Sequence, residues 1–308
     1  MQTSLFGRED DRQNQELQLS PAEKWDMDAA KHSLDELFKV SSQYRSSDSY
    51  MRMLDFINQF PYIAPFNAML AHIQMPGARY VLPPRKWYQY FGRVIKSEAR
   101  PIVILRTMGP VDFVFDVSDT EGEPLPADIE KLYDVSGGDI GIALPMTILN
   151  CMRDGVRVYK KNLGSTAAGR IARLNPACIA AKAWQEFRGK EIPIVFELEL
   201  AAQRSPEEQY ATLVHELGHL YCGHLGTLNP TWWPDRLGLS GETEEFEAES
   251  VSYLVCKRKG LDTPAAKYLS DFYYRYGEVP PISVECIMKA AGLIERMGKD
   301  SMTPRKTK

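Results

Sequence analysis

The chain has 308 residues, 44% of them hydrophobic, which is long enough for two domains of ordinary size and apolar enough to bury a core without external staples. Five cysteines (Cys151, Cys178, Cys222, Cys256 and Cys286) are odd in number, far apart and without a CxxC pair, which suggests neither a disulfide framework nor a cysteine zinc finger. The net charge of -4 says little as a sum; the opening MQTSLFGREDDRQNQELQ lacks the apolar stretch of a secretory signal, and no later run is apolar enough to span a membrane, so a cytoplasmic protein with no membrane partner is expected.

Residues 1–21 are polar and without periodicity and read as a disordered tail, as do residues 297–308. Residues 22–125 are expected to form a smaller N-terminal α+β domain. Helical patterns run through AEKWDMDAAKHSLDELFKV, YMRMLDFINQF and APFNAMLAHIQM, and strand patterns through ARYVL, RPIVILRTM and VDFVFDVSDT. An acidic passage rich in Gly and Pro, Glu121 to Asp139, marks the boundary, with residues 126–150 as a linker region.

Residues 151–296 are expected to form the second domain, helices on a small sheet. RVYKK and PIVFELEL read as strands, the second with Ile194, Phe196, Leu198 and Leu200 alternating with Val195, Glu197 and Glu199; it could be a core strand, or an edge to which an extended peptide adds itself. Helices follow near Ser205 to Leu225, Glu242 to Lys259 and Thr263 to Tyr274, and SVECIMKAAGLIERM forms the last.

Three of the five histidines, His215, His219 and His224, fall in the first of these helices, within SPEEQYATLVHELGHLYCGHLG. Its start is well specified: Ser205 as N-cap, Pro206 at the first helical position, and Glu208 three residues after the cap to close a capping box. His215 and His219 are four apart, so at 3.6 residues per turn their imidazoles share a face and can converge on one ion. Glu216 lies beside that ion, placed to take a proton from water, and the whole reads HELGH, a zincin motif. Gly218 leaves the helix bare there, so that another backbone can pack close.

The third ligand is expected from the next helix. In GETEEFEAESVSYLVCKRKG, Glu247 shares a face with Val251 and Leu254 and is the choice, with Glu244 second; Glu245 and Glu249 align instead with Ser252 and Cys256. Two histidines and one glutamate would hold Zn2+ with a fourth position open to water, a site suited to amide hydrolysis. His224 is one residue short of the third histidine of an HExxHxxGxxH pattern, which leaves it a supporting role behind the ligands, a place on the substrate side, or that of an ordinary helix-end residue. An oxyanion would need a tyrosine or histidine, and Tyr253, Tyr273, Tyr274 and His224 are candidates.

ATLVHELGHLYCGHLG followed by EFEAESVSYLVCKRKGLD resembles the ImmA/IrrE-type metallopeptidases, with HELGH on one helix and a glutamate in an EA pair opening the next. The resemblance covers roughly residues 156–274 and implies a zincin-like zinc peptidase with His215, His219 and Glu247 as ligands and Glu216 as general base. It also implies a protein substrate, which in that family is a repressor in stress or mobile-element control. The N-terminal part, NAMLAHIQMPGARYVLPPRKWYQYFGRVIKSEARPIVIL, resembles ArdC-type antirestriction proteins, in which a single-stranded-DNA-binding domain precedes such a peptidase; here IKSEA departs from that family's basic turn. The alternative this implies is a DNA-binding, antirestriction protein whose metal site is structural or weakly active.

The residues lend single-stranded DNA some independent support. Arg79, Arg85, Lys86, Arg93, Lys96, Arg100 and Arg106 are interleaved with Tyr80, Trp87, Tyr88, Tyr90 and Phe91, cations to follow phosphates and rings on which bases stack, or else a solvated face over an aromatic core. KKNLGSTAAGR reads as a flap or a surface loop, and TWWPDR, between the two ligand helices, as a wall of the cleft or a docking patch.

Overall fold

Proline sets four of the helix starts, where its missing N–H is no loss and its fixed φ suits the first turn. In the computed structural model, which describes residues 47–106, 111–125, 140–163, 168–175 and 184–306, helices begin at Pro65, Pro84, Pro206 and Pro264. The described elements of the first part are α1 (Ser47–Asn58), α2 (Pro65–Gln74), β1 (Val81–Leu82), α3 (Pro84–Phe91), β2 (Val94–Ile95), β3 (Ile102–Ile104), β4 (Asp112–Asp116) and β5 (Thr120–Glu121). They continue with α4 (Ala143–Cys151), β6 (Val156–Lys161), β7 (Gly169–Arg173), β8 (Trp184–Phe187), β9 (Lys190–Pro193) and β10 (Phe196–Ala201). Four helices finish the chain: α5 (Pro206–Tyr221), α6 (Gly241–Lys257), α7 (Pro264–Tyr276) and α8 (Val284–Lys299).

The architecture is mixed α and β, with helices around small sheets, in keeping with an α+β class. No helix among the described residues is long and apolar enough to cross a membrane. The helix expected over residues 22–40 lies outside the described residues.

β10 is the middle of a three-stranded sheet, parallel to β6 and antiparallel to β7, so it is a core strand, and among the described residues the edges are β6 and β7. Its alternation explains the placement. Phe196, Leu198 and Leu200 are buried on the helix side, and the opposite face carries Glu197 paired with Arg157, and Glu199 paired with Lys161 and Arg170.

The hydrophobic core does not divide where the sequence suggested. One cluster runs from Tyr50, Leu54 and Phe60 of the N-terminal part through Leu198 and Leu217 to Ile294 and Met297, so α1 and α2 pack with α6 and α8. Among the described residues, Leu82, Trp87 and Phe115 make a separate small cluster, under α3 and the β1–β4–β3 sheet.

Two further boundaries differ from expectation. The described end of the expected linker forms α4, whose Asn150 side chain donates to the carbonyls of Met297 and Asp300. The expected C-terminal tail is docked: α8 extends to Lys299, and Arg305 donates to Asp154 while lying over the rings of Trp232 and Trp233. The short range of sequence patterns misses such contacts, because their partners are some 150 residues away.

Arg258, at the C-cap of α6, explains how the two parts are fastened. Its guanidinium donates to the carbonyls of Ile57 (2.7 Å), Phe60 (3.0 Å) and Ile63 (2.7 Å) around the turn that follows α1, the first two of which also accept the backbone N–H of Phe60 and of Ile63, and to Glu295 of α8 (2.6 Å). Replacing Arg258 by Ala leaves the buried Glu295 carboxylate without its guanidinium and takes one donor from each of three carbonyls. Arg258→Ala is expected to lose about 3–5 kcal/mol in denaturant unfolding, and Arg258→Ala with Glu295→Ala clearly less than the sum of the single losses.

Candidate metal centre

The histidine helix starts as its sequence specifies. The Ser205 side chain accepts from Glu208 N–H, and the Glu208 carboxylate accepts from Ser205 N–H (2.9 Å), completing the capping box. Leu213, Val214, Leu217 and Leu220 turn into the core, which leaves His215, Glu216 and His219 half-buried on the remaining face.

Gly218 sets what that face meets. A β-carbon there would lie 3.1 Å from the Cα of Ala248, so α5 and α6 touch backbone to backbone at this point. The contact holds Glu245 and Glu249, one turn of α6 apart, opposite the two histidines.

His215 Nε2 and His219 Nε2 are 3.3 Å apart. Glu245 straddles them, with one carboxylate oxygen 3.6 Å from His215 Nε2 and the other 3.5 Å from His219 Nε2. Donor atoms of a tetrahedral zinc site with ligand bonds of about 2.0–2.1 Å lie about 3.3–3.4 Å apart; the two histidine nitrogens meet that spacing and the Glu245 oxygens lie slightly beyond it, so this group could hold such an ion. Burial pulls the pKa of His215 down to about 4, with His224 adding to the effect. It pulls His219 down to about 3, with His215 and His224 adding; both rings are therefore neutral near neutral pH, as ligands must be.

Glu216 is beside the group and outside it. One of its oxygens accepts the backbone N–H of Ile171 on the edge strand β7 (2.9 Å). Burial raises its pKa to about 7 against that hydrogen bond, with the charge of Glu245 adding to the rise. Glu249 stands behind His215, 3.6 Å from Nδ1, and is likewise raised to about 7 by burial and by Glu245.

Glu247, the expected third ligand, is engaged elsewhere. Its side chain is 0% exposed, and its oxygens receive Arg236 Nη1 (2.5 Å) and Nη2 (2.7 Å), Ser283 N–H (2.6 Å) and His224 Nε2 (2.9 Å). Helix phase identified the buried face correctly, but an open metal site lies at the margin of the core, where Glu245 is half exposed. A second group, Cys222, His224 and Glu247, also has ligand-like spacing. It does not suit a cation, because the Arg236 guanidinium already balances the carboxylate and burial raises the Cys222 thiol well above its ordinary pKa.

His224 reaches its place through the end of α5. Gly223 adopts φ 89°, its N–H bonds Leu220 O (3.0 Å) and His224 N–H bonds His219 O (3.0 Å), a Schellman closure that folds His224 back under His219. The two Nδ1 atoms are 3.0 Å apart. The glycine after the helix was a readable signal for this reversal. Arg236, in TWWPDR, is the site residue that sequence reasoning missed: it makes its contacts only because its N–H bonds Gly223 O and its side chain reaches back to Cys222 O and Glu247.

Tyr253 is not at the site; its hydroxyl donates to Asp55 (3.0 Å) and ties α6 to α1. Tyr274 is 81% exposed, and the side chain of Tyr273 lies outside the described residues. Tyr268 of α7, not among the expected candidates, has its pKa raised by burial and by the charges of Glu245 and Glu249.

The expected nucleic-acid residues separate into two sets. Trp87 is fully buried and donates to Phe115 O (2.8 Å), so it belongs to the core and offers no ring to a base. Arg93 is spent on Thr120, Gly122 and Glu123 at the turn beside β5, and Lys96 donates to Ser118 O (2.7 Å). Arg79 and Arg85 are exposed and Lys86 half-buried, with Tyr88 and Tyr90 the exposed rings nearby.

Compared with models of protein families, with curated proteins and with solved structures, the chain matches none of them.

The raised pKa of Glu216 has a definite sign. Its stabilising effect is complete below about pH 4.5 and is lost as pH rises through about 7, where the buried carboxylate ionises. In metal-free protein, the stability difference between Glu216→Gln and wild type should therefore grow in favour of the variant by about 3 kcal/mol between pH 4.5 and pH 8, as read by denaturant unfolding at each pH.

Proposed function

We propose that the protein is a zinc-dependent metallopeptidase that hydrolyses a peptide bond in a specific protein. One observation carries the reading: His215 Nε2, His219 Nε2 and the Glu245 carboxylate approach one another to 3.3–3.6 Å, with Glu216 beside them outside the group. The resemblance to ImmA/IrrE-type peptidases supports the same reading, with Glu245 in the ligand place first given to Glu247. By that analogy the substrate is a regulator or repressor in stress or mobile-element control, and the fold of this part is zincin-like.

A zinc ion held by these residues would polarise a scissile carbonyl and bring the pKa of water toward about 7. The chain's own groups do the rest. Glu216 takes a proton from water as the oxygen adds to the carbonyl carbon, then passes it to the amide nitrogen as the C–N bond breaks. Ile171 N–H orients the carboxylate for both transfers. As an edge strand packed against α5, β7 offers an extended peptide a backbone beside the site, the role first considered for PIVFELEL.

Purified wild-type protein is expected to carry one equivalent of zinc, and His215→Ala and Glu245→Ala to lose it. Glu216→Gln should keep the metal and lose hydrolysis by about a hundred- to ten-thousand-fold. Proteins cleaved in cells expressing wild type but intact with Glu216→Gln would identify the substrate. Stoichiometric zinc persisting in both ligand variants would sink the reading.

A further inference from the structure

Behind His219 the structure holds an unbroken chain of polar contacts that runs away from the metal-facing side. It passes from His219 Nδ1 to His224 Nδ1 (3.0 Å), from His224 Nε2 to Glu247 (2.9 Å), and from Glu247 to both terminal nitrogens of Arg236 (2.5 and 2.7 Å). His224 and Glu247, in the middle of this chain, are buried, with 1% and 0% of their side chains exposed.

The proton positions follow from which groups can only donate. A guanidinium and a backbone N–H have no lone pair to offer, so Glu247 accepts from Arg236 and from Ser283 and is held as a carboxylate. A carboxylate oxygen 2.9 Å from His224 Nε2 requires a proton on that nitrogen, since two lone pairs at that distance repel. Arg236 already balances Glu247, so a second proton on His224 would add an uncompensated buried charge. His224 Nδ1 is then bare and accepts, which makes His219 Nδ1 the donor. The remaining nitrogen, His219 Nε2, keeps its lone pair, and it faces His215 Nε2 and Glu245.

We infer that Arg236, Glu247 and His224 are positioning residues that hold His219 in the Nδ1–H tautomer, so that Nε2 is presented ready to bind a metal. Their purpose rests on the metallopeptidase reading; their hydrogen-bond order does not. The three come from separate places: His224 follows the reversal at Gly223, Arg236 lies in the connection between the ligand helices, and Glu247 is on α6, braced by the N-cap residue of α8. The ligand is thereby set by the packing of α5, α6 and α8 together. Such partners behind metal-binding histidines fix ring orientation and raise ligand basicity.

The tautomer can be read directly in full-length, metal-free protein at pH 8 from two-bond proton–nitrogen correlations of the histidine rings, with His219→Gln assigning the signal. Wild type should show His219 protonated on Nδ1; a dominant Nε2–H form would overturn the inference without any variant being made. His224→Phe removes the acceptor and should mix the tautomers and weaken Zn2+ binding by about 10–100-fold, while His224→Gln, whose amide can accept and donate along the same line, should restore binding to within a few-fold of wild type. Zinc bound by His224→Phe as tightly as by wild type, with the tautomer unchanged, would also overturn it. If wild type shows the Nδ1–H form but binds no zinc, the relay stands and the metallopeptidase reading fails.

Discussion

At Gly218 the helix that carries both histidines lies against the backbone of Ala248, and which residues of α6 face the histidines follows from that contact. Because no side chain separates them, α6 is held at a fixed height and rotation relative to α5. Residues 245 and 249 then face the histidines, while residue 247, rotated by two positions, points into the core toward Arg236. One acidic helix therefore serves two purposes. One of its faces meets the metal-sized gap, and the other anchors the hydrogen bonds that reach His219 from behind.

Charged groups inside the protein do much of the joining between distant parts of the chain. Arg258 links the end of α1 to α8 through Glu295, Arg305 with Asp154 and Tyr221 secures the C-terminal segment, and Arg236 with Glu247 fastens the connection between α5 and α6. Taking such charges out of water costs several kcal/mol per ion, and only good geometry with further hydrogen bonds offsets it. The return is specificity. Each arginine satisfies carbonyls or carboxylates from two or three elements at once, which a hydrophobic contact of similar size would not orient.

Much of the fold was legible residue by residue. Ser205, Pro206 and Glu208 marked the start of α5, the alternation of Phe196, Leu198 and Leu200 marked β10, and Gly218 marked a close helix approach. Less legible were features whose cause is remote. Trp87 stands among cations and aromatics in the sequence, and it is buried because the carbonyl of Phe115 takes its indole N–H across the small sheet. β10 reads equally as an edge or a centre, since pairing with β6 and β7 depends on partners that its own residues do not specify.

The sequence by itself determined the histidine helix, its cap, the four-residue spacing of His215 and His219, and the position of Glu216 between them, because these depend only on helical periodicity and local hydrogen bonds. Tertiary structure decided which glutamate faces the histidines. Periodicity ranks the faces of α6 by hydrophobic company and so selects Glu247, whereas a metal ligand needs a place at the margin of the core, open on one side. That margin exists only once α5 and α6 have met at Gly218 and Arg236 has folded back to satisfy the carboxylate left inside.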